Sequence, residues 1–238
     1  MQSVFKRYEL KYMLTRSQKA SVLKAIEPYM ALDHYGRTTI RNIYMDTENY
    51  RLIRRSMERP AYKEKLRIRS YRQAKEEDAV FVELKKKFDG IVYKRRVALP
   101  LMKATDWVIE GKKPTESTQI SREIDYFMSF YGRLQPTVFL SYEREAYYQK
   151  GGGDFRITFD ENVLYRQNDI DLCSPAYGTP LLKEDQVLME LKCAGGIPLW
   201  MAQILSRGKI CKTSFSKYGR AYGEMMKQKE ISIYGKHF

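Results

Sequence analysis

The sequence is poor in the residues that build disulfide frameworks and common metal sites. Its 238 residues include three cysteines (Cys173, Cys193 and Cys211) and two histidines, His34 and His237. An odd cysteine count with no C-x-x-C spacing predicts free thiols in a reducing, cytoplasmic setting. The two histidines lie far apart and lack metal-ligand spacing. No apolar run approaches the ~20 residues of a membrane helix, so no span is expected in this chain. The opening residues, Met1 to Arg7, have no apolar stretch of the kind a secretory signal needs. Walker and kinase motifs are also missing. The run Gly151-Gly152-Gly153 is not followed by G-K-[ST] and lies between two strand-like segments, which predicts a plain turn.

Positive charge is what the chain has in excess. Lysine plus arginine total 43 against 29 aspartates and glutamates, a net charge of +14. Such a surplus suits a nucleic acid, an anionic membrane or phosphates. It also suits a merely solubilising surface, so position must decide. The 43% apolar share supports a folded core, and the length fits one domain over residues 1–238.

Residues 3–12 read as a strand. Thr15 then caps a helix whose stripe is Val22, Leu23, Ile26, Tyr29 and Met30. Residues 38–45 form a second strand, ending at a capping Asp46-Thr47. A short basic helix from Glu48 to Met57 follows and stops before Pro60. Further strands are expected at 62–72, 79–87 and 91–99, with Asp89-Gly90 making a hairpin turn. Two amphipathic helices, about 101–111 and 118–131, precede a long hairpin of 136–149 and 154–165. A loop over 167–182 leads to a strand at 185–193, a helix at 198–207 opened by Pro198, and a last helix from Phe215 to about Gln228. The count is about eight strands and five or six helices.

The informative pattern is alternation. Lys65, Arg67 and Arg69 share one face of their strand, opposite Leu66 and Ile68. Glu83, Lys85 and Lys87 stand opposite Val82 and Leu84. Lys94 and Arg96 share a parity, as do Arg7, Glu9 and Lys11, and Glu190 and Lys192 stand opposite Met189 and Leu191. An ordinary antiparallel sheet with one wet face would look similar. The amphipathic helices, however, need the apolar face of the sheet to cover their own stripes. That places helices outside and charges opposite them. With about eight strands the sheet can close, turning the charged face into a lumen. The expectation is an α+β fold, a closed antiparallel β tunnel with helices packed outside. A lumen so one-signed must be wet, internally paired or filled by an anion.

The segments Phe5-Lys6-Arg7-Tyr8-Glu9-Leu10-Lys11-Tyr12, Ile43-Tyr44-Met45-Asp46-Thr47, Lys65-Leu66-Arg67-Ile68-Arg69, Val82-Glu83-Leu84-Lys85, Tyr93-Lys94-Arg95-Arg96, Tyr142-Glu143-Arg144, Phe155 to Asp160, Leu188 to Lys192 and Phe215-Ser216-Lys217-Tyr218 occur in that order. In this set the chain resembles the triphosphate tunnel metalloenzymes and, within them, the polyphosphate polymerase (VTC) domain. The resemblance covers nearly the whole chain. It implies that Arg67, Arg69, Lys85, Lys94, Arg144 and Arg156 grip phosphates, that Lys11 and Lys217 bind near the reacting end, and that Glu190 holds Mn²⁺ or Mg²⁺. Arg41, Arg96, Lys192 and Glu9 are weaker binding candidates, and Glu9 and Glu83 could serve a metal or orient lysines. The triphosphatase relatives carry Glu-x-Glu-x-Lys on the first strand. Arg7, Glu9 and Lys11 stand there in this chain, which leans toward the polymerase branch.

The implied reaction moves the terminal phosphoryl group of ATP onto a growing polyphosphate chain. Hydrolysis of tripolyphosphate or a nucleoside triphosphate in the same lumen is an alternative, as is a binding module without catalysis. A nucleic-acid partner is not expected, because the tyrosines fall mostly in strands and helix stripes. Coupling to a membrane would need a partner protein, and the oligomeric state is left open. Arg54 and Arg55 read as solvated helix residues, Arg95 as lying outside the lumen, and Arg122 and Glu123 as surface groups.

Overall fold

A computed structural model describes residues 8–89, 91–114 and 117–234. Residues 3–7 of the expected first strand, Arg7 among them, and Gly90 of the expected Asp-Gly turn lie outside the described residues.

Eleven strands form one sheet in which every pairing is antiparallel. They are β1 (Tyr8–Thr15), β2 (Met30–Leu32), β3 (Thr38–Asp46), β4 (Tyr62–Ser70), β5 (Ala79–Phe88), β6 (Ile91–Pro100), β7 (Gln135–Gln149), β8 (Arg156–Arg166), β9 (Thr179–Pro180), β10 (Gln186–Cys193) and β11 (Lys212–Thr213). The helices are α1 (Arg16–Ile26), α2 (Arg51–Met57), α3 (Leu101–Val108), α4 (Gln119–Tyr131), α5 (Leu199–Arg207) and α6 (Lys217–Tyr234).

The spatial order is β11-β1-β10-β8-β7-β3-β4-β5-β6, with β2 on β7 and β9 on β8. The end strands β6 and β11 do not pair, so the expected closed tunnel of about eight strands is corrected to an open, eleven-strand ladder. The additional strands are short. Tyr29 and Met30 had been expected in the first helix, but α1 stops at Ile26 and Met30 starts a three-residue strand opposite Gln149. The sheet still curls: Lys85 on β5 reaches Glu9 on β1 at 2.8 Å, with five strands between them in the ladder.

Register gathers the charges on the inner face. Lys11 lies opposite Glu190, Lys65 opposite Lys85 and Lys85 opposite Lys94, and Arg67 opposite Glu83. Directly opposed residues point to the same side of a sheet, so the alternation within strands becomes a patch across them. The hairpin at Gly151-Gly152-Gly153 is a plain turn, with all three residues at positive φ.

Two apolar clusters cover the outer face. One packs α3 and α4, through Trp107, Ile124 and Phe127, on Ile43, Leu66, Ile68, Val82 and Leu84. The other packs α1 and α5, through Val22, Ile26, Met201 and Leu205, on Leu14, Ile157, Phe159, Met189 and Leu191. Thr15 and Thr118 cap α1 and α4, each accepting a backbone N–H three residues on.

The third cluster corrects the expectation that all helices lie outside. Tyr218, Ala221 and Met225 of α6, with Ile53 of α2, bury against Ile40, Tyr44, Val138, Leu140 and Leu188. Ile40 and Tyr44 have the same parity as Asn42, whose side chain meets the inner-face Arg69. The inner face is therefore cationic along part of its length and apolar along the rest, and α6 fills the apolar part. Asp46 ties this end together. Its carboxylate accepts the Leu52 and Ile53 N–H groups at 2.8 and 3.0 Å and the Tyr218 hydroxyl at 2.9 Å.

Candidate functional site: a cationic tunnel

The curled inner face encloses a cavity of about 1930 Å³. Its lining includes seventeen lysines and arginines but four carboxylates, so cations dominate the wall. Lys11, Arg67, Arg69, Lys85, Lys94, Arg144, Arg156, Lys217, Arg96, Lys192, Glu9 and Glu190 all line it.

Arg41 does not. It shares the parity of Ile43 and Met45, which pack under the outer helices. Its expected inward parity was out by one residue, which is enough to move a side chain to the opposite face. Burial and the nearby Arg166 push its guanidinium pKa down. Arg95 lies on the outer side as expected, 3.2 Å from Glu123, and Arg54, Arg55 and Arg122 are exposed.

The inner charges form three groups. In the first, Asp160 accepts two hydrogen bonds from Arg144, at 2.6 and 2.7 Å, and one from Lys217 at 2.5 Å. Beside it, Glu190 lies 3.3 Å from Lys11, 3.5 Å from Lys217, 3.6 Å from Arg144 and 3.9 Å from Lys192. In the second, Glu83 accepts from Arg67 at 2.7 and 2.9 Å and meets Lys94 at 2.5 Å and Arg69 at 3.6 Å. Arg67 also donates to the Tyr44 hydroxyl, and Arg69 to Asn42 and the Tyr142 hydroxyl. The third is the Lys85–Glu9 pair.

These groups set the protonation states. Burial would raise the carboxylates, but the cations reverse it. Lys85 and Lys192 bring Glu9 down to about 2. Arg67, Arg69 and Lys94 lower Glu83, and Lys217, Lys11 and Arg144 hold Glu190 well below the usual range. For lysines, burial and like charge act together. Burial and then Lys11, Lys85, Lys63 and Arg67 lower Lys65 to about 7. Burial and Arg144 lower Lys192 to about 8. Burial would raise the Tyr142 phenol, yet Arg69, Arg144 and Lys217 bring it down to about 8.

A wall of this kind is arranged for anions. Arginine offers forked donors, and backbone strands hold them in rows. For a metal, the protein supplies few ligands: no cluster of three His, Cys, Asp or Glu occurs among the described residues. Glu190 and Asp160 are the nearest thing to a pair, sharing Lys217 and Arg144.

Sequence reading missed Asp160 as a site residue, although it shares parity with Arg156 and Thr158, which pair along β8 with Lys192 and Glu190. It also left out Lys65, despite placing it on the same face as Arg67 and Arg69. Tyr142 was quoted only as a neighbour of Arg144. The signal in each case is parity along the strand, which places Asp160 with Arg156, Lys65 with Arg67 and Tyr142 with Arg144.

No curated protein matches the chain. Among solved structures it is similar to a putative adenylate cyclase from Bacillus halodurans, at 14% identity and a TM-score of 0.54, over 89% of this chain and 95% of that one. It is also similar to a putative adenylate cyclase from Vibrio parahaemolyticus, at 10% identity and a TM-score of 0.46, over 91% and 98% of the two chains. At 14% identity the first likeness shows a shared fold. The VTC domain family matches residues 6–226. With nearly all of its length matched, the chain belongs to the VTC domain family and has its triphosphate-tunnel fold.

Proposed function

We propose that the chain is a metal-dependent phosphotransferase that moves the terminal phosphoryl group of ATP onto a growing inorganic polyphosphate chain held in the tunnel. The observation that supports this most directly is the cation-rich wall, where seventeen lysines and arginines and four carboxylates, Glu190 among them, line a cavity of about 1930 Å³.

Phosphoryl transfer asks little covalent chemistry of a protein. It needs in-line positioning and neutralisation of charge on the transferring group. Arg67, Arg69, Arg144 and Arg156 would grip non-bridging oxygens, and Lys11, Lys85, Lys94 and Lys217 would add point charges along the chain. The acceptor phosphate is already an oxyanion, so no general base is required. Arg96, Lys192 and Glu9 would shape the wall, Glu9 by orienting Lys85.

Glu190 fits a hard divalent ion such as Mg²⁺ or Mn²⁺ that arrives on phosphates, since Mg²⁺ commonly takes one or two carboxylates and fills its shell from substrate and water. Bound there, the ion would neutralise charge on the transferring phosphoryl group.

No helix among the described residues is long and apolar enough to cross a membrane. Cys173, Cys193 and Cys211 are unpaired thiols, which suits a cytoplasmic setting.

The test is incubation of purified protein with ATP and Mn²⁺. Long polyphosphate on a gel is the expected product. Free phosphate alone would mean hydrolysis in the same tunnel, and retention of added polyphosphate without ATP turnover would mean a binding module.

A further inference from the structure

Most inner-face lysines have a carboxylate. Lys11 has Glu190, Lys85 has Glu9, Lys94 has Glu83 and Lys217 has Asp160. Lys65 has none within ion-pair distance among the described residues. Its Nζ lies instead 3.0 Å from Ser216 Oγ.

Ser216 precedes α6, and its hydroxyl accepts the Gly219 N–H at 3.2 Å. It lines the cavity, next in sequence to Lys217. A Cβ on Gly219 would fall 3.3 Å from both Ser216 Cβ and Oγ, so the glycine leaves this hydroxyl its room. The segment is held on either side. Lys11 donates to the Phe215 carbonyl at 2.7 Å, and Lys217 donates to Asp160 at 2.5 Å. The hydroxyl is therefore fixed, open to the tunnel, and touching an amine with no counter-ion.

We propose that Ser216 is a covalent phosphoryl acceptor, with Lys65 as the base that takes its proton. The Ser216 oxygen attacks the terminal phosphorus of ATP, forming an Oγ–P bond. The bond from that phosphorus to its bridging oxygen breaks, and ADP leaves with the electron pair. The hydroxyl proton passes to Lys65 Nζ. The resulting ammonium then stands beside the new phosphoserine as its counter-ion.

The electrostatics around Lys65 support the role. The charged groups that act on it most strongly are Lys11 from β1, Lys85 from β5, and Lys63 and Arg67 from its own strand, all cationic. Burial and these neighbours leave the amine largely able to accept a proton near neutral pH, which is the range a general base needs. The phosphoserine is also an oxyanion of the kind that polymerisation needs as acceptor. The proposal rests on the reading that the tunnel takes ATP.

The experiment is rapid acid quench of the full chain after incubation with γ-³²P-ATP and Mn²⁺, followed by peptide mapping, with tripolyphosphate as a second donor. Serine phosphate esters survive acid. The expected result is one phosphate on Ser216, absent in S216A and replaced by phosphothreonine in S216T. K65M is expected to slow labelling at least tenfold at pH 7, and the wild-type labelling rate is expected to rise with pH through about 7. Polyphosphate formation with an unmodified Ser216 peptide overturns this inference alone. Failure to label with either donor and to make polyphosphate overturns it together with the functional reading.

Discussion

Lys217 Nζ lies 2.5 Å from Asp160 Oδ2 and 3.5 Å from Glu190 Oε1. One lysine at the start of α6 thus joins the two carboxylates of β8 and β10, and its helix is the element that fills the apolar part of the tunnel. The same contact positions a charge and fixes the plug.

Asp160 is fully buried and neutralises both Lys217 and Arg144. Removing one partner of a buried pair strands the others. D160N is expected to lower stability by about 3–5 kcal/mol in anion-free buffer. Added tripolyphosphate should restore part of the loss, because a ligand at 100 times its Kd stabilises by about 2.7 kcal/mol. Thermal melting with and without tripolyphosphate checks both.

Glu190→Ala removes the carboxylate proposed to receive the metal-carrying phosphates. Metal-dependent ATP turnover is expected to fall by about 100-fold or more, a loss of about 2.7 kcal/mol or greater in transition-state stabilisation. Metal-free tripolyphosphate binding should persist, since the four cations around it remain. Unchanged turnover in the variant would remove Glu190 from the mechanism.

R67M and R41M separate the two faces of the sheet. Arg67 lines the tunnel and Arg41 does not. R67M should weaken tripolyphosphate binding about tenfold or more, the effect of losing a charge-assisted hydrogen bond. R41M should leave binding unchanged and stability unchanged or higher by about 1 kcal/mol, because it removes a buried charge. Calorimetric titration of both variants decides whether the parity correction at Arg41 is right.

Stability should depend on pH at both ends of the range. Glu9 falls from 4.5 to about 2 on folding, so its contribution is present above pH 4.5 and is lost as pH falls toward 2. Lys65 behaves oppositely. Its pKa drops from 10.5 unfolded to about 7 folded, so its charge opposes folding fully below pH 7 and less as pH rises toward 10.5. K65M is therefore expected to stabilise the anion-free chain by about 1 kcal/mol or more at pH 6, with the gain shrinking toward pH 10. Urea unfolding at pH 6 and pH 9.5 measures the difference.

The sequence by itself determined which residues share a face within each long strand. Lys65, Arg67 and Arg69, or Glu190 and Lys192, point together because the side-chain period of a strand is two. It also determined the outer helices, whose stripes Ile124, Phe127 and Tyr131, or Val22 and Ile26, repeat at helical spacing and need an apolar face. Charge and family resemblance together pointed to phosphate.

Tertiary structure decided what parity cannot express. Whether the ladder closes depends on the end strands: β11 is two residues long and does not pair with β6. The side of the sheet that Arg41 occupies turns on a single residue of register. The place of α6 inside the tunnel depends on Ile40, Val138, Leu140 and Leu188 meeting from three separate strands, an apolar patch no single segment displays. The pairing of Asp160 with Arg144 and Lys217, and of Lys65 with Ser216, joins residues 16, 57 and 151 positions apart. The cationic tunnel was therefore legible as a tendency of strands. Its open seam, its helical plug and the contact of Lys65 with Ser216 come from how those strands curl around one another.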